Sequence, residues 1–155
     1  MKLTALFAAL TVSLVVPAVG HAESAKAAKP AAAAEKPETE LEKTMSAMGK
    51  AWRQVRKAAK DGQLSPVLGH VVATIRTNAE AAAKLTPALE ADKPAAEQPK
   101  FHAAYQAQIK KLIGTLAKLQ AALESGDNAT AGKLIGEVND VMKSGHQDFR
   151  KPDED

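Results

Sequence analysis

The 155-residue chain has no cysteine and few aromatic residues: one tryptophan, one tyrosine and three phenylalanines. Without cysteine there is no disulfide scaffold, no thiol nucleophile, no iron–sulfur cluster and no cofactor attached through a Cys-x-x-Cys-His motif. The small net charge of +3 and the shortage of base-stacking aromatics argue against nucleic-acid binding. The most abundant residues are Ala, Lys, Leu and Glu, which favour an all-α protein.

The first 22 residues have the pattern of a secretory signal peptide. Lys2 provides a positive start, residues 3–16 form an apolar run, and Gly20-His21-Ala22 provides the small-residue end. The apolar run is too short to span a membrane, and no later segment is long and apolar enough to do so. We therefore expect cleavage after Ala22 and an exported, periplasmic protein that does not insert into a membrane.

The two ends of the remaining chain are predicted to lie outside the folded domain. Residues 23–38 contain Ala, Lys, Glu and Pro but no large apolar side chain, so they cannot bury enough surface to offset the entropy of ordering. Residues 151–155 follow the last helical segment and contain a helix-stopping proline. A flexible tail and a frayed C-terminus thus flank one domain, residues 39–150.

Four segments of this domain carry apolar residues at the spacing of an amphipathic α-helix. The first runs from about Thr39 to Lys60. The second is predicted to begin at Ser65-Pro66, as an N-cap followed by proline, to bury Val67 and to end before Thr86-Pro87. The third begins near Pro99 and the fourth after Asp127. Their similar lengths and mostly short connections predict an antiparallel up-down-up-down four-helix bundle.

In such a bundle the start of the first helix and the end of the fourth lie together. Met45 is about six residues inside the first helix, roughly 9 Å deep, and His146 is about four residues from the end of the fourth, roughly 6 Å deep. Both lie on the inward stripes of their helices, so we expect them to face each other at nearly one level. Phe101 and Tyr105 occupy the same end.

The pairing of an imidazole with a thioether leaves several interpretations open. The two groups can fill the axial positions of a haem iron, although a histidine at a bundle rim and a methionine in a core are also common as packing residues. A copper site that uses Met45, Met48, His146 and His102 is a second interpretation, since these ligands suit Cu(I). A third is a bundle that binds a protein partner without any cofactor.

An enzyme is the least favoured interpretation. The sequence shows no nucleophile–base pair, no paired buried carboxylates, no phosphate-binding loop and no Glu-x-x-His motif for a di-iron centre.

Three segments resemble the cytochrome b562 family of periplasmic haem proteins. Residues 40–45 (ELEKTM) resemble its opening acidic-Leu-Glu-x-x-Met motif, residues 145–150 (GHQDFR) its closing His-Gln-x-aromatic-Arg motif, and residues 123–126 (LESG) its turn between the third and fourth helices. The segments occur in the family's order over residues 39–150. The resemblance implies a noncovalent haem b between the first and fourth helices, with Met45 and His146 as the iron ligands.

The resemblance also implies which other side chains contact the haem. Tyr105 stands where the family has a haem-facing aromatic, Ile109 replaces a second aromatic, and Met142 replaces an arginine near the propionates. The implied cofactor-binding set is Met45, His146, Tyr105, Phe101, Met48, Met142 and Arg150. The implied function is one-electron transfer by a monomer to redox partner proteins.

Overall fold

The computed structural model describes residues 38–151; the predicted signal peptide, almost all of the predicted tail and residues 152–155 lie outside the described residues. Within 38–151 the chain forms four α-helices and no strand. They are α1 (Glu40–Lys60), α2 (Leu68–Ala82), α3 (Gln98–Glu124) and α4 (Asn128–Phe149), with a short 3₁₀ helix, Ala88–Asp92, between α2 and α3. The predicted antiparallel four-helix bundle is confirmed.

Two helix starts follow the capping chemistry of the sequence. Thr39 and Glu42 form a capping box at α1: the Glu42 amide donates to Thr39 Oγ1 at 3.2 Å, and the Thr39 amide donates to Glu42 Oε2 at 2.7 Å. Asp127 caps α4 by accepting from the Thr130 amide at 3.0 Å, and this hydrogen bond holds the pKa of its carboxyl below the usual value. Gly62, with φ of 67°, ends α1 in the left-handed conformation that glycine adopts readily.

The predicted start of α2 was wrong, whereas the helix does end before Thr86-Pro87 as predicted. The Leu68 amide donates to the Ser65 carbonyl at 3.1 Å, so residues 65–67 form a tight turn before α2 rather than its first turn. Val67 lies in this turn, off the apolar stripe, and is 71% exposed instead of buried. At the other end α2 stops at Ala82, and residues 83–85 form another turn before Thr86-Pro87.

The helices enclose one apolar core. Trp52 is the largest aromatic side chain in it, only 3% exposed, and its indole Nε1 donates to Asn139 Oδ1 of α4 at 3.0 Å. Among the described residues no buried side-chain nitrogen or oxygen lacks a hydrogen-bond partner. The fully buried members of the core from the four helices include Val55, Val72, Ile75, Tyr105, Leu116, Leu119, Leu123 and Val138.

Tyr105 gives a direct optical test of this core. Its hydroxyl donates to the Ala82 carbonyl at 2.8 Å, and burial raises its pKa to about 12. It is the chain's only tyrosine, so absorbance at alkaline pH reports on it alone. We expect the native protein to form tyrosinate with a midpoint near pH 12 and the urea-unfolded protein with a midpoint near pH 10. Because the unfolded state loses this proton first, stability should fall between those two values. A native midpoint near 10 would contradict the packing.

Candidate functional site

The hydrogen bond from Trp52 to Asn139 sets the register of the antiparallel helices α1 and α4. Met45 is seven residues before Trp52, and His146 is seven residues after Asn139. Seven residues are about two turns and rise about 10.5 Å, so they return to the same side of an α-helix. Because the helices run in opposite directions, both steps lead toward the same end of the bundle. Met45 and His146 therefore lie at one level, on the sides of α1 and α4 that flank each other.

Helices α1 and α4 contact each other less than the other neighbouring helices of the bundle do. We define the α1–α4 seam as Met45, Gly49 and Trp52 of α1 with Asn139, Met142 and His146 of α4. Helices α1 and α2, α2 and α3, and α3 and α4 pack closely along their lengths, whereas α1 and α4 meet at few points.

Gly49 lies midway along the seam, between Met45 and Trp52. A β-carbon built there would meet no atom within 4 Å, even though the residue is half-buried. At Gly145, on the α3 side of α4, a β-carbon would instead contact Gln108 Cγ at 3.5 Å. A β-carbon would thus meet open space at Gly49 on the α1–α4 seam and an ordinary van der Waals contact at Gly145 between α3 and α4.

The two candidate ligands differ in burial. Met45 is half-buried and packs against the core. His146 was predicted on the inward stripe of α4, but the structure leaves it exposed on the flank of the helix. The reason is helical geometry, since Val141, Gly145 and Phe149 take the inward positions of the last two turns of α4. On this flank His146 shares the side of α4 that carries Asn139, seven residues earlier.

The environment of His146 favours its neutral form. Partial desolvation and, secondarily, the nearby Arg150 guanidinium lower the pKa of His146 below its ordinary value of 6.5. A neutral imidazole keeps a nitrogen lone pair, which metal ligation requires. At neutral pH the side chain is therefore in the protonation state that binds a metal.

The lowered pKa of His146 predicts a pH effect on the protein without cofactor. The unfolded state binds this proton at a higher pH than the folded state does, so stability should fall as pH drops below 6.5. We expect the His146 ring resonances in an NMR titration to have a midpoint below 6.5. Assignment of the resonances comes from His146→Gln, which should also reduce the acid-side loss of stability. A midpoint above 6.5 would contradict the desolvated position.

Aromatic side chains close the same end of the bundle. The Phe149 ring packs edge-on against Phe101, with centroids 5.3 Å apart, and against Tyr105, with centroids 5.6 Å apart. Phe101 and Tyr105 were predicted as site residues, and the structure brings them together with Phe149. Phe149 was missed as a site residue, although its place one turn after His146 on the apolar stripe was the available signal.

The remaining predicted site residues occupy different surroundings. Met142 is half-buried on the seam, one turn before His146, while Met48 is only 2% exposed and lies within the core. Arg150 is exposed at the end of α4, one turn after His146. The structure thus brings Met142 and Arg150 to the side of His146 and leaves Met48 behind Met45 in the interior.

His102, the additional ligand in the copper interpretation, is engaged elsewhere. Its Nδ1 lies 2.8 Å from Glu90 Oε2 of the 3₁₀ helix. The pair lines an open concavity of about 510 Å³ at the start of α3. The described residues also contain no group of three or more His, Cys, Asp or Glu side chains that could hold a metal ion. His102 therefore lies outside the α1–α4 seam, where Met45 and His146 are the candidate ligands.

The family model for cytochrome b562 matches residues 40–150. The chain belongs to the cytochrome b562 family. The match includes all four helices, Met45 and His146. The family consists of haem-binding four-helix bundles that carry electrons and are not enzymes. Comparisons with curated proteins and with solved structures found no match to the chain. Among the described residues, no helix has the length and apolar character needed to cross a membrane.

Proposed function

We propose that this cytochrome b562 family member binds haem b in the α1–α4 seam, with Met45 and His146 as axial ligands, and carries single electrons in the periplasm. The observation that supports the proposal is the hydrogen bond between Trp52 and Asn139, because seven residues along each helix from this contact lead to Met45 and His146 at the same end of the bundle. Met45 and His146 would hold the haem iron, and the bound group would supply reversible one-electron chemistry.

The residues along the seam fit the cofactor. A thioether and a neutral imidazole are the donors found on haem iron in electron carriers, and His146 has its pKa lowered toward the neutral form. The half-buried Gly49 leaves room beside Met45, where a larger side chain would occupy the seam. No cysteine competes for the iron.

We assign supporting roles to the other residues at this end. Phe101 and Tyr105, packed on Phe149, form the apolar end wall and limit access of water. Met142 lines the seam on the α4 side, and Met48 supports Met45 from the core. Arg150 provides a positive charge one turn from His146, where it can pair with a propionate. The predicted signal peptide supports the periplasmic location, and we take the carrier to be a monomer that exchanges electrons with partner proteins.

A haemin titration of the signal-free protein tests the proposal. We expect uptake of one haem per chain, a sharpened Soret band, and a narrow α band after reduction with dithionite. The measured quantities are the stoichiometry and the absorption spectra of both redox states. Absence of a saturable Soret change at any haemin excess would overturn the proposed function.

Filling the seam should block the cofactor without unfolding the protein. Gly49→Phe places a ring in the open space beside Met45, so haem affinity should fall by roughly 100-fold while the melting temperature of the haem-free protein changes little. The control is Gly114→Phe on the exposed side of α3, where a β-carbon also meets nothing within 4 Å. The affinities come from haemin titrations. Equal haem binding by both variants would place the cofactor elsewhere.

A further inference from the structure

The outer side of α1 carries a concentration of positive charge. We call it the basic ridge, and its members are Lys43, Lys50, Arg53, Arg56, Lys57 and Lys60, all exposed. Residues 38–151 contain 17 Lys and Arg and 13 Asp and Glu, and the segment 43–60 holds six of the former and none of the latter. The rest of the described chain therefore has more acidic than basic residues, so the net positive charge of residues 38–151 comes from α1.

The charges of the basic ridge are largely unneutralised. Lys57 pairs with Asp61, while the other five side chains form no ion pair with any residue in 38–151. Neighbours three or four residues apart, such as Arg53 and Lys57, repel each other and weaken the helix. Helix α2 shows the usual alternative, an Arg76–Glu80 pair at the same spacing. The ridge thus has a stability cost that binding of an acidic surface would offset.

The basic ridge borders the α1–α4 seam. Arg56 lies seven residues after Gly49 and so shares its side of α1, and Arg53 and Lys60, about one turn before and after Arg56, lie on the adjoining side. On α4 the nearest exposed residues beside the seam include Lys143, one turn after Asn139, and Arg150. The opening of the proposed haem site therefore has positive charge on both sides.

We propose that the basic ridge, together with Lys143, is the docking surface for an acidic redox protein, which would approach the haem over the α1–α4 seam. This inference rests on the proposed function, because it names the partner class for the same site. Complementary charge steers two proteins into an encounter and aligns them. Lys50 is about 7.5 Å from Met45 along the helix axis, so a partner held by the ridge would lie near the cofactor.

The basic ridge lacks the features that a protein needs to bind two other anionic ligands, a lipid membrane and a single-stranded nucleic acid. A helix that binds lipid presents large apolar side chains beside its basic residues, but the exposed residues between these basic positions are Ser46, Ala47 and Gln54. A single-stranded nucleic acid needs exposed aromatic side chains for stacking, and Trp52, the one aromatic of α1, is buried. An acidic protein surface requires only the charge pattern that the ridge has.

Charge reversal with a matched control tests the docking surface. The ridge variant is Lys43→Glu, Lys50→Glu and Arg53→Glu; the control is Lys110→Glu, Lys111→Glu and Lys118→Glu on exposed positions of α3. Both variants change the net charge equally, and circular dichroism melting checks their folding. The probe is a strongly acidic plant-type [2Fe–2S] ferredoxin. Calorimetry measures its affinity, and stopped-flow absorbance measures one-electron transfer from its reduced cluster to ferric haem, which becomes ferrous.

We expect the ridge variant to bind the ferredoxin about 10-fold more weakly and to be reduced correspondingly more slowly, and the control to change less than about 2-fold. Wild-type affinity should fall as salt rises. If both variants lost ferredoxin affinity equally, net charge alone would explain the effect and the proposal would be overturned. So would absence of ferredoxin binding, or ridge-dependent binding only to vesicles containing 30% phosphatidylglycerol.

The binding readout separates this proposal from the haem assignment. Calorimetry can measure ferredoxin binding by the full chain without haem. If that binding depends on the basic ridge in a protein that takes up no haem, the proposed function is overturned and the docking surface is supported. If dithionite reduces the bound haem normally but the ridge variant and the control bind ferredoxin equally well, the docking surface is overturned and the haem assignment is supported.

Discussion

His146→Ala should lower the affinity for haem by at least about 100-fold. Even groups that only orient a metal ligand change metal affinity by about 10- to 100-fold, so loss of the imidazole that binds the iron should have a larger effect. No other described histidine lies on the α1–α4 seam, because His102 is held by Glu90 and His70 is near the start of α2. Haemin titration followed at the Soret band measures the change.

Met45→Ala should have a different effect from His146→Ala. A thioether is a weak, soft donor, so we expect its loss to leave haem bound through His146 but with one axial position open. The absorption spectrum should change to that of a five-coordinate, high-spin haem, and added imidazole should restore a six-coordinate spectrum. The measurement is absorbance in both redox states before and after imidazole is added.

Two substitutions serve as matched controls for these ligand variants. His70→Ala removes an exposed histidine from the start of α2, and Met142→Leu replaces a seam thioether with an apolar side chain of similar volume. Both should bind haem with the wild-type spectrum. If His146→Ala and Met45→Ala also kept that spectrum, or if Met142→Leu behaved like Met45→Ala, the axial assignment would be wrong.

Trp52→Ala should reduce the free energy of unfolding by about 3–5 kcal/mol, the usual range for loss of a buried large aromatic side chain. Trp52 is 3% exposed, and its indole donates the hydrogen bond to Asn139 that joins α1 to α4. Trp52→Phe keeps most of the apolar contact and removes the hydrogen bond, so its smaller loss would measure that bond. Urea unfolding of the haem-free protein followed by circular dichroism gives both values.

Because Trp52 sets the register of α1 on α4, we expect its substitution to affect haem binding as well. With the contact to Asn139 removed, Met45 and His146 should be held less firmly at one level, so Trp52→Phe should weaken haem binding as well as stability. Val67→Ala is the control because Val67 is 71% exposed, and its effect on stability should stay within about 0.5 kcal/mol. A Trp52→Ala variant as stable as Val67→Ala would mean that the α1–α4 contact does not form.

Much of the fold could be predicted because its signals are local. The three- and four-residue spacing of apolar side chains marks each helix, and the capping residues Thr39 and Asp127 mark two of the starts. The start of α2 was predicted wrongly because Ser65-Pro66 has the composition of a helix start but forms a tight turn. A proline is compatible with both structures, and the hydrogen bond from the Leu68 amide to the Ser65 carbonyl shows that the turn is the one that forms.

The sequence by itself determined the number and order of the helices, the family, and the presence of a methionine and a histidine near opposite ends of the four-helix domain. The tertiary structure decided the register of α1 on α4, the open seam at Gly49, the exposed position of His146 and the position of the basic ridge beside the seam. The physical reason is the range of the interactions. Helix formation depends on residues within a turn or two, whereas the spacing and register of two helices depend on contacts such as that between Trp52 and Asn139, which are 87 residues apart.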